Sequence, residues 1–355
     1  MKAAVWYGQQ DVRIEEVHDP PAPAPGQVQV EVAWCGICGT DLHEYLGGPL
    51  YIPTTTAHPL TGVKAPVIIG HEFSGRVVAI GDNVEGFAVG DRVAACPIVG
   101  CGQCRWCKTG SMAQCDKVAF VGTSWSGGGF AECLNLYAYQ CYHLPATLSD
   151  ELGALVEPFS STARAVLRGQ VGPNDNVAII GAGPIGLMAL LAARLRGAKR
   201  VVSVEVSPRR LQAAMECGAT ATISPSLEDP FQRAAEITEG EGFDVVVECA
   251  GQEATGILAG QLTRTRGRLV VMGVFEKPSP IDFTDLVFRE KTVIGSMSGY
   301  GFFDQAIEMM NDPRFRGHAL ITERIPLDDL ISRGFRPLIE EKEKRVKTLV
   351  SPSGV

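Results

Sequence analysis

One turn, Gly181-Ala182-Gly183-Pro184-Ile185-Gly186, constrains this chain more than any other feature. It follows an apolar run at 177–180 that reads as a buried strand, and it opens an apolar segment at 185–196 that reads as a helix. In that setting Gly181 permits the tight turn, Gly183 lets the backbone approach a pyrophosphate, and Gly186 lets helix and strand pack closely. The helix that starts at Pro184 offers N–H groups from Ile185 onward, proline having none, and a partial positive charge to the anion. Strand-like runs recur at 201–206, 221–224, 245–249, 269–274 and 293–296. Helical stretches separate them, as at 208–216, where Leu211 and Met215 share a face. Such alternation predicts an α/β fold with a doubly wound parallel sheet, and six strands complete a Rossmann, dinucleotide-binding fold.

Glu205 ends the second strand, nineteen residues after Gly186. An acidic side chain there accepts hydrogen bonds from ribose hydroxyls and repels a 2′-phosphate, so the expected cofactor is NAD rather than NADP. Arg209 and Arg210 follow closely; they would grip a phosphate if Glu205 turned away, and otherwise Arg210 is expected to lie along the ribose or in solvent.

The first 150 or so residues have a different texture. Short runs rich in Val and Ile recur at 28–32, 67–69, 77–80 and 92–94, punctuated by Gly and Pro. This is the pattern of a Greek-key or barrel-like domain. Beyond residue 299 a helix at 302–310 and a few strands are expected to return to it. The expected division is therefore 1–157 with 299–355, and 158–298.

The bulk numbers exclude several classes. Net charge is −8, and the arginines of 264–268 form a short stretch that reads as a solvated face, so no nucleic-acid footprint is expected. The longest apolar stretch, 177–193, holds three glycines and a proline and is too broken to span a membrane. The N-terminus lacks an apolar run of signal length, so a cytoplasmic location is expected. Eleven cysteines, an odd number, argue against a disulfide framework in that setting.

Four of those cysteines form Cys101-x2-Cys104-x2-Cys107-x7-Cys115. Four thiolates suit tetrahedral zinc with no open position, so the expected role is structural. The loop carries few core-forming residues, and ligation can hold it where packing cannot. An iron–sulfur cluster fits less well, since the usual proline after the last cysteine is absent.

Cys38 and His71 are natural zinc ligands, and a catalytic zinc takes three protein ligands and leaves one position open. Gly70-His71-Glu72-Phe73-Ser74-Gly75, with Gly81 and Val84, resembles the signature of the zinc-containing medium-chain dehydrogenases. Gly36-Ile37-Cys38-Gly39-Thr40-Asp41-Leu42-His43 resembles the segment carrying that family's first catalytic ligand, and the four-cysteine loop and glycine turn match in order and spacing. The resemblance spans essentially the whole chain. It implies a β-rich GroES-like catalytic domain beside the Rossmann domain, two zinc ions per chain, NAD, a small-molecule alcohol substrate, and a homodimer or homotetramer.

The resemblance also assigns roles. Cys38, His71 and one or both of Glu72 and Glu157 hold the catalytic zinc. Thr40 contacts the alcohol oxygen and passes its proton toward His43, and Asp41 hydrogen-bonds His71. Many alcohol dehydrogenases of the family carry a cysteine where this chain has Glu157, which places the resemblance in the polyol branch. Residues 33–45, 127–132, 319–322 and 346–352 look like the (R,R)-2,3-butanediol dehydrogenases, implying a vicinal diol and acetoin. Sorbitol, xylitol and threonine are the alternative substrates. A metal-free quinone reductase or a non-catalytic zinc-binding protein is disfavoured by the joint presence of Cys38, His71 and Glu157. Cys96 stands where an acidic residue is expected before Pro97, and the 123–126 run, with Trp125, also departs from the group. Trp125 is expected either to narrow the pocket or to cover its loop. Cys35, Cys96, Cys133, Cys141, Cys217 and Cys249 are read as packing residues.

Overall fold

The computed structural model describes residues 1–341 and 343–354. It divides into two compact units, one comprising Met1–Glu157, Phe303–Ile307 and Ile321–Val355, the other Pro158–Phe302 and Glu308–Leu320.

The first unit is built on a seven-stranded sheet. Its main path runs Cys141–His143, Arg92–Ala95, Glu72–Ile80, Gln27–Gly36, Lys347–Ser351, Ile321–Pro326, and Cys133–Tyr137 also pairs with Gln27–Gly36. Period-two burial explains the central strand. Val28, Val30 and Val32 are fully buried while Glu31 is exposed, so one face joins the core and the other meets water. The apolar face packs with Phe73, Phe130, Leu134, Leu136, Phe335 and Val350 into one cluster. The strand Lys347–Ser351 lies antiparallel to Gln27–Gly36, setting Leu349 opposite Gly36 and Val350 opposite Cys35. On the other side of the same strand, Gly36 faces Glu72 and Cys35 faces Phe73.

The second unit holds a six-stranded parallel sheet. In chain order its strands are Asn176–Ile180, Arg200–Val204, Ala221–Ile223, Phe243–Glu248, Thr263–Val271 and Thr292–Gly295, and their spatial order is 3-2-1-4-5-6. That is the doubly wound order expected from the alternation. All five residues of the first strand are buried, as a strand covered on both faces requires. The helix Pro184–Leu195 buries every residue from Gly186 to Ala193, so it is a core helix without a polar stripe. The fifth strand begins at Thr263, earlier than its apolar run suggests. Arg266 adopts φ +57° there, and the register with Phe243–Glu248 shifts between Phe243 and Val245. Further helices of the unit lie at Pro208–Glu216, Pro230–Thr238, Glu253–Leu262 and Phe283–Phe288. Among the described residues no helix is long and apolar enough to cross a membrane.

Candidate metal centres and cofactor turn

The four sulfurs of Cys101, Cys104, Cys107 and Cys115 lie within 4.8 Å of one another. Cys104 Sγ and Cys107 Sγ are 3.6 Å apart. Tetrahedral zinc with Zn–S bonds of about 2.3 Å sets its sulfurs about 3.8 Å apart, whereas a disulfide needs about 2.05 Å. The donor set therefore fits zinc. Backbone N–H groups of Gln103 and Cys104 donate to Cys101 Sγ at 3.4 and 3.3 Å. These bonds, that from Gln103 foremost, pull the Cys101 thiol down to about 6. Burial pushes Cys107 up to about 12. Four thiolates cannot share this space without a cation, which is what a bound dication supplies.

In the same unit, donor atoms of Cys38, His71 and Glu72 also lie within 4.8 Å of one another. Cys38 is the N-cap of the helix Gly39–Gly47, and its backbone N–H donates to Asp41 Oδ2 at 2.9 Å. His71 and Glu72 sit at the entry of the strand Glu72–Ile80. His71 Nδ1 is buried and has no hydrogen-bond partner among the described residues. Its nearest acid, Asp41 Oδ1, is 3.6 Å away. No hydrogen bond joins them, contrary to the role expected for Asp41, because Asp41 turns its other oxygen to the Cys38 amide and caps the helix. Burial alone would lower the His71 pKa, but the charges of Cys38 and Asp41 raise it well above the usual histidine value. A half-buried imidazole whose buried Nδ1 is orphaned beside a thiol and a carboxylate fits a metal, which would take the place of the proton.

The helix after Cys38 places the two remaining polar candidates. The Cys38 thiol lies 3.7 Å from Thr40 Oγ1. His43, three residues further along the helix, is exposed. Thr40 thus faces the donors while His43 faces water. Glu157, half-buried in the helix Val156–Arg168, lies outside the three-donor set. Burial, reinforced by the charge of Glu72, pushes its carboxyl up to about 7.

Sequence reasoning passed over Lys347. Its Nζ donates to the carbonyl of Ile37 at 2.9 Å and to Glu72 Oε2, and both side chains of the ion pair are 2% exposed. The one available signal was a lysine close before the apolar pair Leu349 and Val350. The Trp125 indole N–H donates to the carbonyl of Asn135 at 3.1 Å and the ring tilts against Tyr137. Cys35, Cys96, Cys141 and Cys217 are buried, and Cys133 and Cys249 are half-buried.

In the second unit Gly181 has φ +90°, a conformation that favours glycine. A Cβ on Gly186 would lie 1.8 Å from the carbonyl oxygen of Gly181, so helix and turn approach too closely for any side chain. Around Gly183, which caps the helix, a Cβ would meet nothing within 4 Å, leaving room for a ligand. Pro184 occupies the first helical turn, and Ile185 beside it is half-buried. Glu205 Oε2 accepts from the Ala182 N–H at 2.9 Å, and Oε1 accepts from Val206 and Ser207 at 2.8 and 3.1 Å. A carboxylate offers about four acceptor positions, so one remains for a ribose hydroxyl. Arg210 Nη1 stands 3.9 Å from Glu205 Oε2.

Comparison with known proteins agrees with this architecture. Residues 24–146 match the model of the alcohol dehydrogenase GroES-like domain, and residues 184–312 match that of the zinc-binding dehydrogenases. The (R,R)-butanediol dehydrogenase of Bacillus subtilis (strain 168) is 41% identical over 353 residues, covering 99% of this chain and 100% of that one. A sorbitol dehydrogenase of the same organism is 32% identical, covering 99% and 98%. The crystal structure of 2R,3R-butanediol dehydrogenase from Bacillus subtilis superposes with a TM-score of 0.93 at 41% identity, covering 99% of each chain.

Proposed function

The chain belongs to the zinc-binding dehydrogenase family, and from that premise we propose that it interconverts (R,R)-2,3-butanediol and acetoin with NAD. The observation that carries this reading is the convergence of Cys38, His71 and Glu72 beside the hydroxyl of Thr40. The likeness to butanediol dehydrogenases over the whole chain supports the choice of substrate.

When bound, zinc supplies positive charge to the alcohol oxygen and NAD accepts the hydride. The chain's own residues do the rest. Cys38, His71 and Glu72, with Glu157 nearby, would hold the exchangeable metal, and Cys101, Cys104, Cys107 and Cys115 the structural one. Thr40 Oγ1 takes the alcohol proton as it gives up its own toward His43, whose imidazole meets solvent. In the other unit, Gly183 and the helix start at Pro184 and Ile185 would receive the pyrophosphate, and Glu205 the ribose.

We also place the protein in the cytoplasm as a homo-oligomer. The edge strand Thr292–Gly295 leaves its N-terminal residues exposed, and Phe283, Val287, Phe288 and Met297 expose apolar surface close by in sequence. An unpaired, apolar strand edge favours pairing with a second copy.

The deciding experiment combines metal analysis with NADH formation on a panel of diol stereoisomers, sorbitol, xylitol and L-threonine. The reading expects two zinc ions per chain and highest kcat/KM with (R,R)-2,3-butanediol. Higher kcat/KM with sorbitol, xylitol or threonine would move the assignment to that substrate.

A further inference from the structure

The exchangeable metal site already has every protein donor a catalytic zinc takes. A catalytic zinc takes three protein ligands and keeps one position for substrate, while four protein ligands make a closed, structural site. Cys38, His71 and Glu72 converge, and Glu157 lies near enough to respond to the charge of Glu72. A carboxylate free to offer both oxygens would add a further donor. Something must limit what these acids give the metal.

Three adjacent strands supply it. Gly36 lies on the middle strand, with Glu72 opposite on one side and Leu349 opposite on the other. Lys347, two residues before Leu349, has to pass Gly36 to reach Glu72. The missing side chain makes the passage: a Cβ on Gly36 would lie 2.6 Å from Glu72 Oε2 and 2.8 Å from Lys347 Cε. The ammonium is anchored by the Ile37 carbonyl and spends a second donor on Glu72 Oε2. Burying a lysine is costly unless it is paired, and here the partner is itself a candidate ligand.

We propose that Lys347 is a positioning residue that keeps the metal site open, by holding one oxygen of Glu72 so that this carboxylate cannot close around the ion. The inference rests on the assignment of Cys38, His71 and Glu72 as metal donors, but not on the identity of the alcohol. Its sign is unusual. Removing a buried cation beside a dication, and freeing a carboxylate oxygen, strengthens metal binding while filling the position that substrate needs.

The test uses holoprotein and reads metal release to a chelator, with the four-cysteine site as internal reference. Lys347→Met is expected to slow release from the exchangeable site by at least about 10-fold, to shift the visible spectrum of the cobalt-substituted site, and to lower kcat. Lys347→Arg is expected to retain near-native release and spectrum. The double variant Lys347→Met with Glu72→Gln tests the path: its release must return to or beyond the native rate, because the freed oxygen is gone. Faster release from Lys347→Met, or an unchanged cobalt spectrum, overturns the proposal. Zinc absent from this site in the native protein would instead overturn the donor assignment beneath it.

Discussion

Ala182 donates its backbone N–H to Glu205 Oε2 at 2.9 Å, so the residue at the end of the second strand is tied to the glycine turn after the first. This bond holds the carboxylate at the turn, where a ribose is expected and a 2′-phosphate would be repelled. Glu205→Ala is expected to raise KM for NAD by about 10-fold, the cost of one charge-assisted hydrogen bond, and to narrow the preference for NAD over NADP. Steady-state kinetics with both cofactors checks it. A native preference for NADP would contradict the role assigned to Glu205.

Cys104 caps the four-residue helix Arg105–Lys108 and accepts from the Cys107 N–H. Its loss should open the structural site. Cys104→Ser is expected to lower the melting temperature by several degrees and reduce zinc by one per chain, with the effect on stability preceding any on kcat. An unchanged melting temperature would count against a structural role.

Glu157 gives a pH signature in protein stripped of its exchangeable metal. Its folded pKa, pushed to about 7 by burial and then by Glu72, lies above the ordinary value of 4.5. The folded state holds a proton that the unfolded state gives up, so this group's contribution to stability is full below pH 4.5 and falls as pH rises toward 7. Glu157→Gln should flatten that fall, measured by denaturant unfolding across the window. A profile identical to the native one would remove Glu157 from the buried acid cluster.

The edge strand offers a test of assembly. Phe288 is 82% exposed and Val293 37% exposed. Val293→Lys places a charge on the edge strand and is expected to shift the sedimentation coefficient toward that of a monomer. A sedimentation profile that does not change would place the interface elsewhere.

What could be read from the sequence was local. The glycine turn, the four-cysteine loop and the period-two valines each declare themselves within a few residues, and the six-strand order followed from alternation. The helix Glu253–Leu262 escaped notice because two glycines and polar residues blur its face. The strand Thr263–Val271 hid its start behind charged residues. Lys347 was invisible for a different reason. It lies 275 residues from Glu72, and only the insertion of the last strand beside Gln27–Gly36 brings the two together. Glu44 is similar: its carboxylate accepts N–H bonds from Leu50, Tyr51 and Ile52, pinning a loop that no motif marks.

The central claim is that Cys38 belongs to a metal site that performs the chemistry, separate from the one that holds the cysteine loop. Zinc per chain and the rate of NADH formation from (R,R)-2,3-butanediol, measured on native protein and Cys38→Ser, test it together. The account predicts two zinc ions and turnover in the native protein, and one zinc ion with turnover lowered at least about 1,000-fold in the variant. A Cys38→Ser protein that keeps one zinc ion and native activity would contradict it.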